Sequence, residues 1–236
     1  MTDQIPSIAD CRFYHAMDLP QVGFVQGAWD LRGRFDDYVG GVRLRDRSVL
    51  DVGAASGFLS FEAEQRGAQS VTSFNAASFG QLQRNPGLAV SELDFKAHLN
   101  SYRLAHHLLK SKAVPIFGDI YRLGEIAPKS DVVIVGQVLV HLRDPFGALE
   151  QIAGCTADTL VIAEGMFDHP DAIAAYLGGT TPFSWFHFST TIYRQFLPKL
   201  GFEITSIKPG KYRCVSMERD EAVWTLVAPR RKGGTD

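Results

Sequence analysis

The chain holds only three cysteines, Cys11, Cys155 and Cys214, widely separated and in no spacing that binds a metal or forms a redox pair. No disulfide framework is implied, and the thiols fit a reducing compartment. No apolar run is long enough to cross a bilayer, and the first residues lack a basic start followed by an apolar stretch and a cleavage site. A soluble, cytoplasmic protein with no membrane partner is therefore expected. Charge of neither sign dominates, since 24 Lys and Arg stand against 26 Asp and Glu. That balance gives no general attraction to phosphate backbones, so a nucleic-acid partner would need a local patch. Low-complexity segments and internal repeats are missing too. A length of 236 residues, 45% of them hydrophobic, suits one large α/β domain with a substantial core.

What is present centres on residues 48–63. Ser48-Val49-Leu50-Asp51-Val52 reads as a short apolar strand, Gly53-Ala54-Ala55-Ser56-Gly57 as a tight turn, and Phe58 onward as the start of a helix. Small side chains let a backbone approach a ligand closely, and the first amides of a helix attract negative charge. The spacing is Gly-x-x-x-Gly, without the third glycine of the dinucleotide fingerprint.

Strands and helices alternate around this turn. Residues 70–74 read as a second strand and residues 75–92 as irregular. Phe95, Leu99, Tyr102, His106 and Leu109 recur at helical spacing and mark a face expected to pack on the sheet. Residues 114–117 and the continuous apolar run 131–135 are further strands, as in a parallel sheet covered on both sides. Asp144-Pro145 opens a helix running to about residue 153. Residues 159–163 form a fifth strand, 190–200 a helix closed by Gly201, and 202–207 and 222–228 the last two strands. Residues 28–39 show near-helical spacing of Trp29, Leu31 and Phe35 and predict a helical cap. The interval 165–189, rich in Phe, Trp and His, is longer than an ordinary connection and is a candidate lid.

The turn at 53–57 resembles motif I of class I S-adenosylmethionine (SAM) dependent methyltransferases, in which it holds the methionine end of the cofactor. With Tyr14-His15, Leu19-Pro20, the 29–34 segment and Val138-Leu139-x-His141-x-Arg143-x-Pro145, the chain is similar to the bacterial family around the tRNA wobble-uridine carboxymethyltransferase, over roughly residues 12–207. The resemblance implies an α/β fold with a doubly wound, mostly parallel seven-stranded sheet of the Rossmann-like class I type, residues 48–236, preceded by an N-terminal helical cap, residues 1–47. It implies SAM as cofactor. His106-His107 lies on a helix with no matching ligand pair, so no metal is expected.

Carried over residue by residue, the cofactor set is Trp29, Arg34, Gly53, Ala54, Ala55, Ser56, Gly57, Asn75, Asp119, Ile120, Gly136 and Gln137. Asn75 stands where the family usually has the carboxylate that receives the ribose hydroxyls; an amide can accept one hydroxyl and donate to another, without the charge-assisted bond. Asp119 would take the adenine amine, with Ile120 against the ring. Each has a plainer alternative: a turn Asn, a helix-capping Asp, a core Trp29 and a solvated Arg34.

His141, beyond the fourth strand, is the candidate acid or base, because imidazole titrates near neutral pH; its alternative is to satisfy local backbone groups. Glu164, Trp185 and His187 are candidate acceptor contacts, or else fasten the lid to the core. Val140 replaces the wobble-uridine enzyme's Tyr, and Pro182 stands where its carboxylate-receiving Arg would be. Ordinary methyl transfer to a small-molecule acceptor is therefore expected rather than carboxymethyl transfer. A tRNA-modifying methyltransferase and a non-catalytic SAM-binding protein stay open, with a nicotinamide-dependent oxidoreductase behind them. The acceptor and the oligomeric state are not legible in the sequence.

Overall fold

The computed structural model describes residues 4–85, 91–178 and 184–231. The chain opens with a hairpin of β1 (Met17–Leu19) and β2 (Gly23–Val25), followed by β3 (Trp29–Asp30) and one short helix, α1 (Phe35–Tyr38). A helix over 28–39 does not form. Trp29 donates its N–H to the Tyr14 carbonyl and accepts from Ala16 N–H at 2.7 Å, and it pairs across to Cys214. Gly33 then turns left-handed, at φ +69°. Tertiary pairing overrides the helical spacing here, so the N-terminal segment is not a helical cap.

The alternating region follows as β4 (Ser48–Val52), α2 (Phe58–Gln65), β5 (Ser70–Ala76), α3 (Glu92–Leu108), β6 (Val114–Gly118), α4 (Leu123–Ile126), β7 (Ser130–Gly136), α5 (Pro145–Cys155) and β8 (Thr156–Glu164). Next come β9 (Met166–Phe167), β10 (Ala174–Tyr176), β11 (Phe186–Ser189), α6 (Thr190–Phe196), β12 (Ser206–Cys214) and β13 (Arg219–Pro229). The main sheet has eight strands, in the order β3-β12-β13-β8-β7-β4-β5-β6, one more than expected because β3 joins its edge. Strands β4 to β8 are parallel neighbours, whereas β13 runs antiparallel to both β8 and β12. The expected strand at 202–207 lies at 206–214 instead. Pro209 and Gly210 lie inside it, where Pro209 pairs with Trp224 and β3 reaches only Arg213 and Cys214. Its missing N–H therefore breaks no ladder on the open side.

The period of two along the buried strands distributes them between two cores. Val132 and Ile134 face Phe35, Phe58, Phe61 and Tyr102, under the N-terminal segment, α2 and α3. Val133 and Val135 face Leu149, Ile152, Tyr193 and Leu197, under α5 and α6. With both faces covered, the strands need no polar side, which is why 132–135 carries an unbroken apolar run. Asp144 caps α5, accepting the Gly147 N–H at 2.9 Å, and Gly201 closes the turn after α6 at φ +85°.

In the 165–189 interval the described residues form a small sheet in the order β10-β11-β9; Pro182 lies outside the described residues. Among the described residues, no helix is long and apolar enough to cross a membrane.

Candidate functional site

Strand order reverses at β4, which has β5 on one side and β7 on the other, and such a reversal opens a crevice beyond the carboxyl ends of the strands. A cavity of about 500 Å³ occupies that place, within the range of small-ligand sites. Its floor is the 53–57 turn, where Gly53, Ala55 and Gly57 all take left-handed backbone, at φ +79°, +50° and +89°. A Cβ on Gly53 would lie 2.5 Å from Val138 Cγ2, so glycine is required there for space as well as for φ. The turn is held from three sides. Phe74 carbonyl receives the N–H groups of Gly53 and Ala54 at 2.9 and 3.0 Å. Asn75 Oδ1 accepts the Ala55 N–H at 2.9 Å, and the buried Ser56 hydroxyl accepts from the backbone of Tyr14 and His15 at 3.3 and 3.1 Å.

Eight of the expected site residues line this one cavity. Gly53, Ala55 and Asn75 come from β4, its turn and β5; Asp119 and Ile120 follow β6; Gly136, Gln137 and His141 follow β7. Asn75 is 7% exposed, and its Nδ2 is buried without a partner among the described residues. Asp119 caps the turn after β6 through the Tyr121 N–H at 3.0 Å, which leaves its second oxygen. Gln137 adopts φ +55°, a strained backbone of the kind that gathers at ligand sites.

Other expected residues lie elsewhere. Ala54, Ser56 and Gly57 shape the turn from beneath. The Trp29 indole reaches the buried Tyr14 hydroxyl. Arg34 Nε bonds Asp37 at 3.0 Å, and its guanidinium lies 5.3 Å from the Tyr212 ring centre. Glu164 is 2% exposed and accepts the N–H groups of Val138 and Leu139 at 2.6 and 2.7 Å. Burial pushes its carboxyl up to about 8, against the lowering effect of those backbone bonds. It thus anchors the segment leading to His141. Trp185 does not line the cavity. Its indole donates to the Gln83 carbonyl at 2.6 Å and its backbone N–H to the Val140 carbonyl at 2.7 Å, tying β11 to the same segment. His187 sits against Gly165, and burial lowers its imidazole.

The remaining wall was not legible in the sequence. Arg12 and Tyr14 enter from the N-terminal segment, Gln81 to Gln83 from the turn after β5, and Asp94, Phe95, His98 and Leu99 from α3. Phe95 and Leu99, expected on the sheet-facing side of that helix, line the cavity; Tyr102 is buried in the core instead. Arg12 and Asp94 form an ion pair. His106 Nε2 lies 2.9 Å from the Ala113 carbonyl. Among the described residues, no group of three His, Cys, Asp or Glu side chains is gathered as for a metal.

No protein-family model matches the chain, and no curated protein matches it either. Solved structures do match in fold. Magnesium protoporphyrin IX methyltransferase from Synechocystis, with bound SAM, aligns at 18% identity over 85% of this chain and 78% of that one, with a TM-score of 0.54. An S-adenosylmethionine dependent methyltransferase from Mesorhizobium loti aligns at 11% identity, over 85% and 100% of the two chains, with a TM-score of 0.55. The 1,6-didemethyltoxoflavin-N1-methyltransferase of Burkholderia thailandensis, with bound 1,6-didemethyltoxoflavin and S-adenosylhomocysteine, aligns at 13% identity, over 85% and 76%, with a TM-score of 0.50. The fold is accordingly that of Rossmann-like methyltransferases.

Proposed function

We propose that the chain is a SAM-dependent methyltransferase acting on a small-molecule acceptor. The observation that carries this reading is the buried, unpartnered Nδ2 of Asn75 beside the left-handed 53–57 turn, in the cavity where the strand order reverses. An unsatisfied buried amide donor is costly unless a ligand completes it. The cavity fits the cofactor on those grounds. Gly53 and Ala55 would hold its amino-acid end, Asn75 Nδ2 would donate to a ribose oxygen, and the free oxygen of Asp119 with the Ile120 side chain would receive the adenine.

When bound, the cofactor supplies an activated methyl group on sulfur, so the protein needs no covalent intermediate. Its residues place and enclose the reactants. The Ser56 bonds draw the 12–15 segment across the turn, Glu164 fixes the 138–139 backbone below His141, and the apolar side chains of Leu82, Phe95, Leu99 and Leu142 keep water from the lining. Alignment and exclusion of water of this kind are worth about 7 to 11 kcal/mol in favourable cases. The fold neighbours named for porphyrin and toxoflavin methylation support a small acceptor. The test is to incubate the purified protein with isotopically labelled SAM and a panel of metabolites. Labelled product from at least one acceptor is expected, and cofactor binding without transfer to any would favour a non-catalytic role.

One observation favours the tRNA-directed reading. Arg84 and Arg143 adjoin the cavity-lining Gln83 and Leu142 and enter no ion pair among the described residues. Filter binding of bulk tRNA across salt concentrations separates the two: phosphate recognition weakens steeply with salt, and a small-molecule enzyme retains little tRNA at any of them.

A further inference from the structure

Beyond the cofactor contacts, the cavity keeps a second wall built by one face of α3, where Asp94, Phe95, His98 and Leu99 line it together with Arg12 and Gln83. The charges on that wall cancel, because Arg12 and Asp94 are paired with each other. The wall therefore offers no unmatched cation to an acidic acceptor and no unmatched anion to a basic one. Phe95, backed by the ring of Phe79 at 6.3 Å between centres, and Leu99 supply apolar surface. His98 Nδ1 is the exception: it is buried and meets no hydrogen-bond partner among the described residues, while the ring also engages the Arg12 backbone.

The geometry points to His98 as the group that receives the acceptor, and to an acceptor that is neutral, largely apolar and carries a dissociable O–H or ring N–H. This rests on the methyltransferase reading above. In the tautomer that leaves Nδ1 unprotonated, that nitrogen needs a donor to complete it, and a donor of that kind is also the nucleophile that must lose a proton on methylation. As the oxygen–methyl bond forms, the carbon–sulfur bond breaks and its electron pair stays on sulfur as a neutral thioether. The hydroxyl proton passes to His98 Nδ1, and the imidazolium later returns it to water.

His98 is suited to that transfer by its surroundings. Burial lowers its imidazole below the usual histidine value, with Arg12 acting in the same sense and Asp94 and the Arg12 backbone opposing. It is thus neutral and ready to accept a proton near pH 7. Arg12 from the N-terminal segment and Asp94 from the same helix are the charged groups that face it.

The experiment uses the full chain saturated with S-adenosylhomocysteine, whose own binding is measured first by calorimetry; absence of that binding would defeat the methyltransferase reading itself. The probes are p-cresol, its methyl ether p-methylanisole and the anion p-toluate. Binding of p-cresol alone is expected, with a shift of the His98 imidazole nitrogen signal in the NMR spectrum. His98→Phe should weaken p-cresol about tenfold, as for one lost hydrogen bond in a dry site, while leaving the nucleoside affinity unchanged. His98→Asn, whose amide oxygen can stand in for Nδ1 as acceptor but not as base, should restore p-cresol affinity without restoring its methylation by SAM. Equal binding of p-methylanisole or p-toluate, or p-cresol affinity unaltered in His98→Phe, would overturn the assignment. Should His98→Phe fail to fold, the NMR shift and the His98→Asn split between affinity and turnover decide it.

Discussion

Asn75 Oδ1 accepts the Ala55 N–H at 2.9 Å, and the same side chain leaves Nδ2 buried and unpartnered. One amide thereby holds the turn in shape with its oxygen and keeps its nitrogen uncommitted, in a residue that lines the cavity. On the proposed reading an uncharged residue serves where the resemblance implies a carboxylate: its acceptor atom is already committed to the backbone, and what remains is a donor. Asn75→Ala removes both functions and should weaken S-adenosylhomocysteine binding about tenfold or more, at about 1 kcal/mol for each hydrogen bond. Asn75→Asp keeps the bond to Ala55 and adds a charged acceptor, so binding should persist and tighten as pH rises and the carboxyl ionises. Titration calorimetry across pH checks both.

Gly53 faces two constraints, a left-handed backbone and the Val138 side chain 2.5 Å from where a Cβ would stand. Gly53→Ala should cost about 1 to 2 kcal/mol from the backbone and about 1 to 3 kcal/mol from crowding. Adding Val138→Ala should recover the second contribution and leave the first. Thermal melts of the single and double variants read the two apart.

Ser56 is buried and accepts two backbone N–H groups from residues 14 and 15. Ser56→Ala leaves both donors without a partner. A loss of about 2 kcal/mol, or roughly 4 to 8 °C in Tm, is expected. Amide exchange should accelerate at Tyr14 and His15 before it does in β4.

Glu164 gives the stability a definite pH dependence. Its folded carboxyl is raised to about 8 from an ordinary 4.5, so the native state binds more protons than the unfolded chain between those values. Its contribution is complete below about pH 4.5 and falls away as pH climbs toward 8. Glu164→Gln, which can still accept from Val138 and Leu139, should flatten the decline in denaturant midpoint over that range. An unchanged slope would remove Glu164 as its source.

The parts of the fold that were legible in the sequence are those where local pattern and tertiary context agree. Strands β7 and β8 are buried on both faces and carry unbroken apolar runs, β4 is interrupted only by the buried Asp51, and α5 announces itself through Asp144 and Pro145. The turn, Asn75, Asp119 and His141 were legible because a parallel sheet places the residues after its strands at one edge. Misreadings arose where two signals compete. Trp29, Leu31 and Phe35 have near-helical spacing, but Trp29 pairs with Tyr14, Ala16 and Cys214. The strand expected at 202–207 lies at 206–214 instead, as β12. The α3 wall was missed for a different reason: periodicity identifies an apolar face without saying whether a sheet or a cavity lies opposite, and His98 carries no mark in the sequence that sets it apart from His106.

Calorimetric titration of the full chain with S-adenosylhomocysteine tests the central claim most directly, with Asn75→Ala and NAD as controls. The structure predicts one saturable site per chain, weakened about tenfold in Asn75→Ala, and no heat with NAD. A folded protein that takes up no S-adenosylhomocysteine, or binds it equally well without the Asn75 amide, would contradict the account.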